Sequence, residues 1–249
     1  MVKLTLIGEI CQDIFIYGTI DRLCPEAPVP IFKPDFETQN LGMAGNVYQN
    51  LKSLDPNLDI KMYHQNNTLT KTRLVDKKSN QMIVRIDNGE NSKIDKIKLN
   101  SELIKTIQES DIVIVSDYDK GFLSLNDLVL IGKNSKLSIL DSKKTLNQKV
   151  VNSFTFVKLN QKESLNNKKI IKSENLIITL GEKGAKYKDK IFESPSPKET
   201  IDVSGAGDTF VASFILKYSQ TNDINESINF ANQMSSIVVS KRGVSIPDF

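Results

Sequence analysis

Apolar and polar positions alternate along the chain on two distinct periods. Val2 to Gly8 is a continuous apolar run ending in glycine, the pattern of a parallel strand buried on both faces. Asp111 to Ser116, Leu137 to Leu140, Phe154 to Leu159 and Asn175 to Gly181 repeat that form, each leading into polar residues. Ser101 to Glu109, the run from Phe210 to Leu216, and Ile224 to Lys241 space their apolar residues as helices with one buried face. Strand and helix therefore alternate, which predicts a parallel, doubly wound α/β sheet. Thr70 to Leu74 and Asn80 to Asp87 switch residue by residue between apolar and polar, as half-buried strands do. Phe15 to Ile20 and Val29 to Lys33 read as short strands. Pro25, Pro28 and Pro30 deny ladder donors, so both are expected at an edge or in a lid rather than at the centre of a sheet.

Composition narrows the possibilities without naming a reaction. The 249 residues, 39% hydrophobic and 25% charged, are ordinary for a globular chain and long enough for one large α/β core. A net charge of +3, with acids and bases interspersed, gives no nucleic-acid or membrane footprint. Cys11 and Cys24 are the only cysteines, which leaves no disulfide framework or paired metal-binding motif and suits a reducing cytoplasm. No apolar run nears the ~20 residues of a membrane span, and the chain enters its first strand without a signal-peptide pattern. The lone histidine, His64, reads as structural or solvated.

The chemistry concentrates in Ile201-Asp-Val-Ser-Gly-Ala-Gly-Asp208-Thr-Phe210. Two glycines just before an apolar helix present backbone N–H groups where the helix dipole favours an anion. An acid beside an anion site makes sense if Asp208 takes a proton from a hydroxyl that attacks a phosphoryl group held there. The plainer alternative is a glycine turn capped by Ser204 or Asp208.

Asp-Val-Ser-Gly-Ala-Gly-Asp-Thr resembles the C-terminal signature of the ribokinase-like (PfkB) carbohydrate kinases. Tyr17-Gly18 followed by Pro25-Glu-Ala-Pro-Val-Pro30 is similar to that family's heptose-7-phosphate kinase branch, as are the segments at 70–74 and 80–87. The resemblance implies a ribokinase-like α/β fold: a mostly parallel central sheet flanked by helices, one domain over 1–249, with a small β lid from about 14–36 and 70–87. It implies transfer of the ATP γ-phosphoryl group to a sugar or sugar-phosphate hydroxyl, with heptose 7-phosphate at its anomeric position as the expected acceptor. Asp208 would be the base, and the amides of Gly205, Ala206 and Gly207 the anion hole.

The same resemblance assigns further residues. Asp13, Gly42 and Asn46 would orient the sugar, although a capping Asp and a bare helix start explain the same motifs. Lys71, Arg73 and Arg85 could meet a sugar phosphate or lie on the solvent side of the lid. Lys120, in Asp117-Tyr-Asp-Lys-Gly121, would contact phosphate, with a loop salt bridge as the alternative. Asn160 and Glu163 would organise Mg²⁺ through water, hard oxygen ligands suiting that ion. Thr179, Gly181 and Asn232 would hold the nucleotide, although the Gly181 to Gly184 stretch also fits a plain hairpin turn. Asp141-Ser-Lys143 stands where the family has Asp-Pro-Lys, and Lys241 to Ser245 matches its closing turn. ATP and Mg²⁺ are the implied cofactors, and a monovalent cation is left open.

Several positions depart from the pattern. Met43 stands where the family has glycine, Glu9 where the branch has Asp, and Ile14 where it has Arg. Only Asp55 to Thr68 occupies a region that usually carries another strand and helix, so the sheet is expected to lack an edge unit. No adenylyltransferase half of the kind joined to this branch is expected after Phe249. A fructose- or ribose-type kinase and a non-catalytic sugar- or nucleotide-binding relative are the alternatives. Exposed lid strands suggest a homodimer.

Overall fold

The computed structural model describes residues 2–90, 92–170, 173–195 and 205–240. In chain order its strands and helices are β1 (Lys3–Gly8), β2 (Ile10–Leu23), β3 (Pro30–Met43), α1 (Ala44–Leu54), β4 (Asp59–Tyr63), β5 (Thr70–Asp76) and β6 (Met82–Asn88). Then follow α2 (Ser101–Glu109), β7 (Ile112–Asp117), α3 (Leu125–Asn134), β8 (Ser138–Ser142), α4 (Gln148–Val151), β9 (Phe156–Asn160) and α5 (Gln161–Asn166). The last are β10 (Leu176–Thr179), β11 (Ala185–Tyr187), β12 (Lys190–Phe192), α6 (Ala206–Thr221) and α7 (Ile224–Val239).

Among the described residues these strands form two sheets. The larger has eight strands in the order β12-β11-β10-β9-β8-β7-β1-β4. It is parallel from β4 to β10 and turns antiparallel only at β11 and β12. Its continuous apolar strands are explained by cover on both faces. Along β7, Ile112 and Ile114 pack with α1, α6 and α7 through Leu51, Phe214 and Ile228, while Val113 and Val115 pack with α2, α3 and α4 through Ile107, Leu128 and Val150. All ten of these side chains are fully buried. This is the ribokinase-like α/β fold: a mostly parallel sheet with helices on both faces.

The smaller sheet has the order β3-β2-β5-β6, with β2 parallel to β5 and antiparallel to β3. Two expectations are corrected here. β2 and β3 are not short; each runs 14 residues. Nor is β2 an edge strand, because Pro25 and Pro28 sit in the turn between the two strands and Pro30 begins β3, so β2 keeps its own ladder donors. Pro34 falls on β3, which is an edge strand, at a register shift opposite Gly18.

The chain crosses between the sheets at four points: Glu9, the Met43–Ala44 junction, the segment joining β4 to β5, and the segment joining β6 to α2, which Asn67 of the third crossing holds through the Lys93 carbonyl and Asp95 N–H. Ala44 N–H donates to the Glu9 carbonyl at 2.9 Å. Gln65 closes the third crossing. Its side-chain amide accepts from Ile10 N–H at 3.0 Å and donates to the Ile10 carbonyl at 2.7 Å, as a neighbouring strand would. β4 forms the edge of the main sheet, and the chain runs from it directly into β5. His64 is exposed on this segment, bonded through Nδ1 to the Gln65 carbonyl.

Candidate active site

Strand ends of the main sheet and the start of α6 meet at Asp208. Gly205 caps α6 with φ 83°, a backbone conformation glycine adopts without penalty. Asp208 therefore falls in the first helical turn, buried. Asn46 Nδ2, from the first turn of α1, donates to its Oδ2 at 2.9 Å, and the Tyr118 hydroxyl donates to its Oδ1 at 2.9 Å. Burial is the largest influence on this carboxyl and pushes its pKa up to about 6. The Asn46 bond opposes that shift, the nearby Asp141 adds to it, and Tyr118 and Lys158 pull the other way. A carboxyl whose proton affinity lies close to neutrality is suited to general-base catalysis.

The second layer is equally specific. Asn50 donates to both the Asn46 carbonyl and Asn46 Oδ1, and accepts from the Thr209 hydroxyl at 2.8 Å. Asn46 therefore meets Asp208 with its amide. Tyr118 is placed by Glu9, a buried carboxylate at the end of β1 that accepts the backbone N–H groups of Tyr118, Lys120 and Phe122 at 2.8, 3.1 and 3.2 Å. Burial and Asp117 raise the Glu9 pKa, against the pull of Tyr118 N–H, Lys144 and Phe122 N–H. The longer side chain at position 9 is what reaches all three amides.

From Asp208 a cleft of about 930 Å³ runs along the ends of β8, β9 and β10. That volume is near the top of the range for small-molecule sites, and the place, beyond the carboxyl ends of parallel strands, is where such sheets bind ligands. Gly205, Ala206 and Gly207 line its near end, and Thr179, Gly181 and Asn232 its far end. Asn232 Nδ2 donates to the Phe192 carbonyl at 2.8 Å, which commits that amide to β12. Gly181 opens a one-turn 3-10 helix inside the β10–β11 hairpin with φ 64°.

Lys158 and Asp141, from β9 and β8, form a 2.9 Å ion pair with side chains only 3% and 5% exposed. Lys158 Nζ stands 3.0 Å from where a Cβ on Gly207 would lie, so a side chain there would press on the ammonium. Asp141, which lines the cleft, has its buried Oδ1 without a hydrogen-bond partner among the described residues. Asn160 and Glu163 form a reciprocal cap on α5. Glu163 Oε2 accepts from Asn160 N–H at 2.7 Å, and Oε1 accepts from Asn160 Nδ2 at 2.7 Å and Lys143 Nζ at 2.5 Å. Among the described residues no group of three or more His, Cys, Asp or Glu is placed to hold a metal directly.

On the lid side, Asp13 is buried and paired with Arg73 Nη1 at 2.5 Å, while Arg73 also lies over the Phe15 ring. Gly42 is tight against Asp13: a Cβ there would lie 2.0 Å from Asp13 Oδ2. Lys71, on the same face of β5, reaches the Tyr118 ring. Two further predicted residues are engaged in ion pairs. Arg85 forks onto Asp87 with two 2.8 Å bonds, and Lys120 makes a 2.5 Å loop ion pair with Glu90. The stretch 201–204 of the glycine signature and the closing turn at 241–245 lie outside the described residues.

Sequence reasoning passed over Lys158 and Tyr118. The signal for the first was present: one lysine inside an otherwise apolar strand demands a buried partner. Tyr118 left no such trace, because its role depends on Glu9 and Asp208, both distant in sequence.

The sequence model described as pfkB family carbohydrate kinase matches residues 49–248. The chain belongs to the pfkB family of carbohydrate kinases. Membership makes it a phosphotransferase with an alcohol group as acceptor. The bifunctional protein HldE of Helicobacter pylori strain J99 is 32% identical to this kinase over 304 aligned positions, covering 99% of the chain here and 64% of its own length. The chain thus spans under two thirds of that relative. The alignment is longer than the 249 residues here, so the relative carries segments this kinase lacks. Arabidopsis thaliana ribokinase, solved with ribose and ATP, shares the fold at a TM-score of 0.72 and 14% identity, over 98% of this chain and 94% of its own. Phosphofructokinase-2 from Escherichia coli, solved with potassium, matches at 0.72 and 15%, over 98% and 94%. Among the described residues no helix is long and apolar enough to cross a membrane.

Proposed function

We propose that this kinase transfers the γ-phosphoryl group of ATP to the anomeric hydroxyl of heptose 7-phosphate, with Asp208 as general base. The observation that carries the reading is the Asp208 carboxylate itself. It is buried at a helix start, held by one donor on each oxygen, and opens onto the cleft beside the Gly205 to Gly207 amides. In-line transfer needs this pairing of a base for the acceptor hydroxyl with fixed donors for the phosphoryl oxygens. Lys158, at Gly207, adds a positive charge where that group would lie. Thr179, Gly181 and Asn232 would flank the nucleotide, as the ATP bound to the Arabidopsis relative suggests. Asp13 and Gly42 would set the sugar.

The donor set fits Mg²⁺ held through water. Asn160 and Glu163 supply hard oxygen atoms that are already hydrogen-bonded, which suits contact through water rather than direct ligation, and Asp141 Oδ1 is a further oxygen without a hydrogen-bond partner among the described residues. When bound, the ion would neutralise phosphate charge. A monovalent cation is proposed on the likeness to the potassium-bound Escherichia coli relative, with no residue assigned.

The heptose acceptor rests on the HldE relatives. One observation favours a second reading, an acceptor without its own phosphate: Arg73, Arg85 and Lys120 are already paired with Asp13, Asp87 and Glu90, leaving Lys71 to meet an anion. ADP release from Mg·ATP with heptose 7-phosphate, fructose, ribose and their phosphates tests both, with Asp208→Asn in parallel. Turnover only with heptose 7-phosphate, lost in the variant, is expected. Turnover in Asp208→Asn would remove the base assignment, and preference for an unphosphorylated sugar would select the second reading.

The lid's outer face carries Ile14, Ile16, Leu74, Val84 and Ile86 on three neighbouring strands, with Val84 and Ile86 exposed. A second copy of the chain is the proposed occupant. Light scattering showing only monomer at micromolar concentration would refute it.

A further inference from the structure

We propose that Tyr118 is a positioning residue for the general base: its phenol donates to Asp208 Oδ1 and fixes which face of that carboxylate meets the acceptor hydroxyl. The inference rests on Asp208 being the base. With Tyr118 on Oδ1 and Asn46 on Oδ2, each oxygen has one lone-pair direction occupied, and the carboxylate cannot rotate without breaking both bonds. A donor aimed at an ionised carboxylate favours the charged form, which is the form that accepts a proton.

The phenol is itself held from several directions. Glu9 fixes the Tyr118 backbone and the turn after it. Two ammonium groups attend the ring, Lys71 from the lid strand at 5.7 Å and Lys143 from beyond β8 at 5.4 Å. Burial, Asp208 and Asp141 raise the Tyr118 pKa well above the usual value of a phenol, so the hydroxyl stays a donor throughout the working range. A tyrosine that only filled space would need neither the carboxylate nor the cleft, and Tyr118 lines the cleft. The groups facing Asp208 are Asn46 from α1, Tyr118 after β7, Asp141 from β8, Lys143 after β8, Lys158 from β9 and Cys11 from β2. Those facing Tyr118 are Asp208, Asp141, Cys11, Lys71 and Lys143.

Tyr118→Phe keeps the ring and both ammonium contacts and removes only the donor. Two readouts follow: kcat/KM against pH, and the ¹³C titration of the Asp208 carboxyl, assigned by its loss in Asp208→Asn. Both should move up by about one pH unit, so that kcat/KM falls about fivefold at pH 6 and by progressively less as pH rises. A loss of equal size at every pH marks Tyr118 as structural and overturns the proposal. So does a gain at every pH, which would mean that the phenol merely occupies the acceptor's place. A reciprocal measurement covers the case in which Tyr118→Phe does not fold: Asp208→Asn should bring the Tyr118 phenol into titration at lower pH, read from its ¹³Cζ shift, and an unmoved phenol refutes the coupling. If Asp208→Asn keeps its turnover, the base assignment falls. If that variant is inactive while Tyr118→Phe leaves the pH profile unmoved, only the role of Tyr118 falls.

Discussion

Met43 has φ 58° and ψ −132°, a conformation that side chains rarely adopt, and it is buried immediately before α1. Holding a non-glycine residue there costs about 1–3 kcal/mol. Truncating a buried methionine to alanine costs about 2–5 kcal/mol, and the strain remains because alanine keeps its Cβ. Glycine loses the same packing but relieves the strain, at about 0.5–1 kcal/mol for the extra freedom of its unfolded chain. Met43→Gly should therefore unfold about 0–2 kcal/mol less readily than Met43→Ala, the reverse of the usual order. Urea titration followed by circular dichroism, with equal m-values confirming a common unfolding transition, measures the difference. Alanine more stable than glycine by about 0.5–1 kcal/mol would show that the backbone at Met43 is unstrained and refute the reasoning.

The buried Asp208 carboxyl should cost stability. Its folded pKa of about 6 lies above the ordinary aspartate value of 3.8, so its contribution is fully present below pH 4 and is lost as pH rises through 6. Asp208→Asn is accordingly expected to melt higher than the parent at pH 7.5, by an amount on the order of 3 kcal/mol in unfolding free energy, and to lose that advantage at pH 4; equal melting points at both values would contradict the burial argument. Gly42→Ala places a Cβ 2.0 Å from Asp13 Oδ2 and should displace Asp13 from Arg73, raising the acceptor KM severalfold while ATP affinity is kept; an unchanged acceptor KM would separate Asp13 from the sugar.

What could be read from the sequence follows what is local. The strands of the main sheet announce themselves because burial on both faces makes them continuous apolar runs, and Asp208 because two glycines and an acid adjoin a helix start. The length of β2 was hidden, since its partners are supplied by β3 and β5 and its own residues mix Asp, Gln and Gly with apolar ones. The ion pairs of Arg85 and Lys120 left no trace of that kind. A cation in a fitting motif says nothing of the acid that will claim it, and Asp87 and Glu90 do so. Met43 is the instructive case: where the family pattern has glycine, it holds a positive-φ backbone that glycine would adopt without penalty, a cost that nothing in its own side chain announces.

The side-chain amide of Gln65, bonded to both backbone groups of Ile10, stands in for one residue of strand at the root of the lid, and the β2–β5 ladder continues from Gln12 and Thr70 beside it. The four crossings between the sheets are thereby gathered near a single pivot. A lever anchored at one end moves least near its anchor: any swing of the four-stranded sheet carries the Cys24 to Val29 turn through the widest arc and leaves Asp13, three residues from Ile10, almost where it was. Asp13 would thus stay in register with Asp208 under any such swing, and movement of the far strands need not disturb the proposed sugar-side contacts.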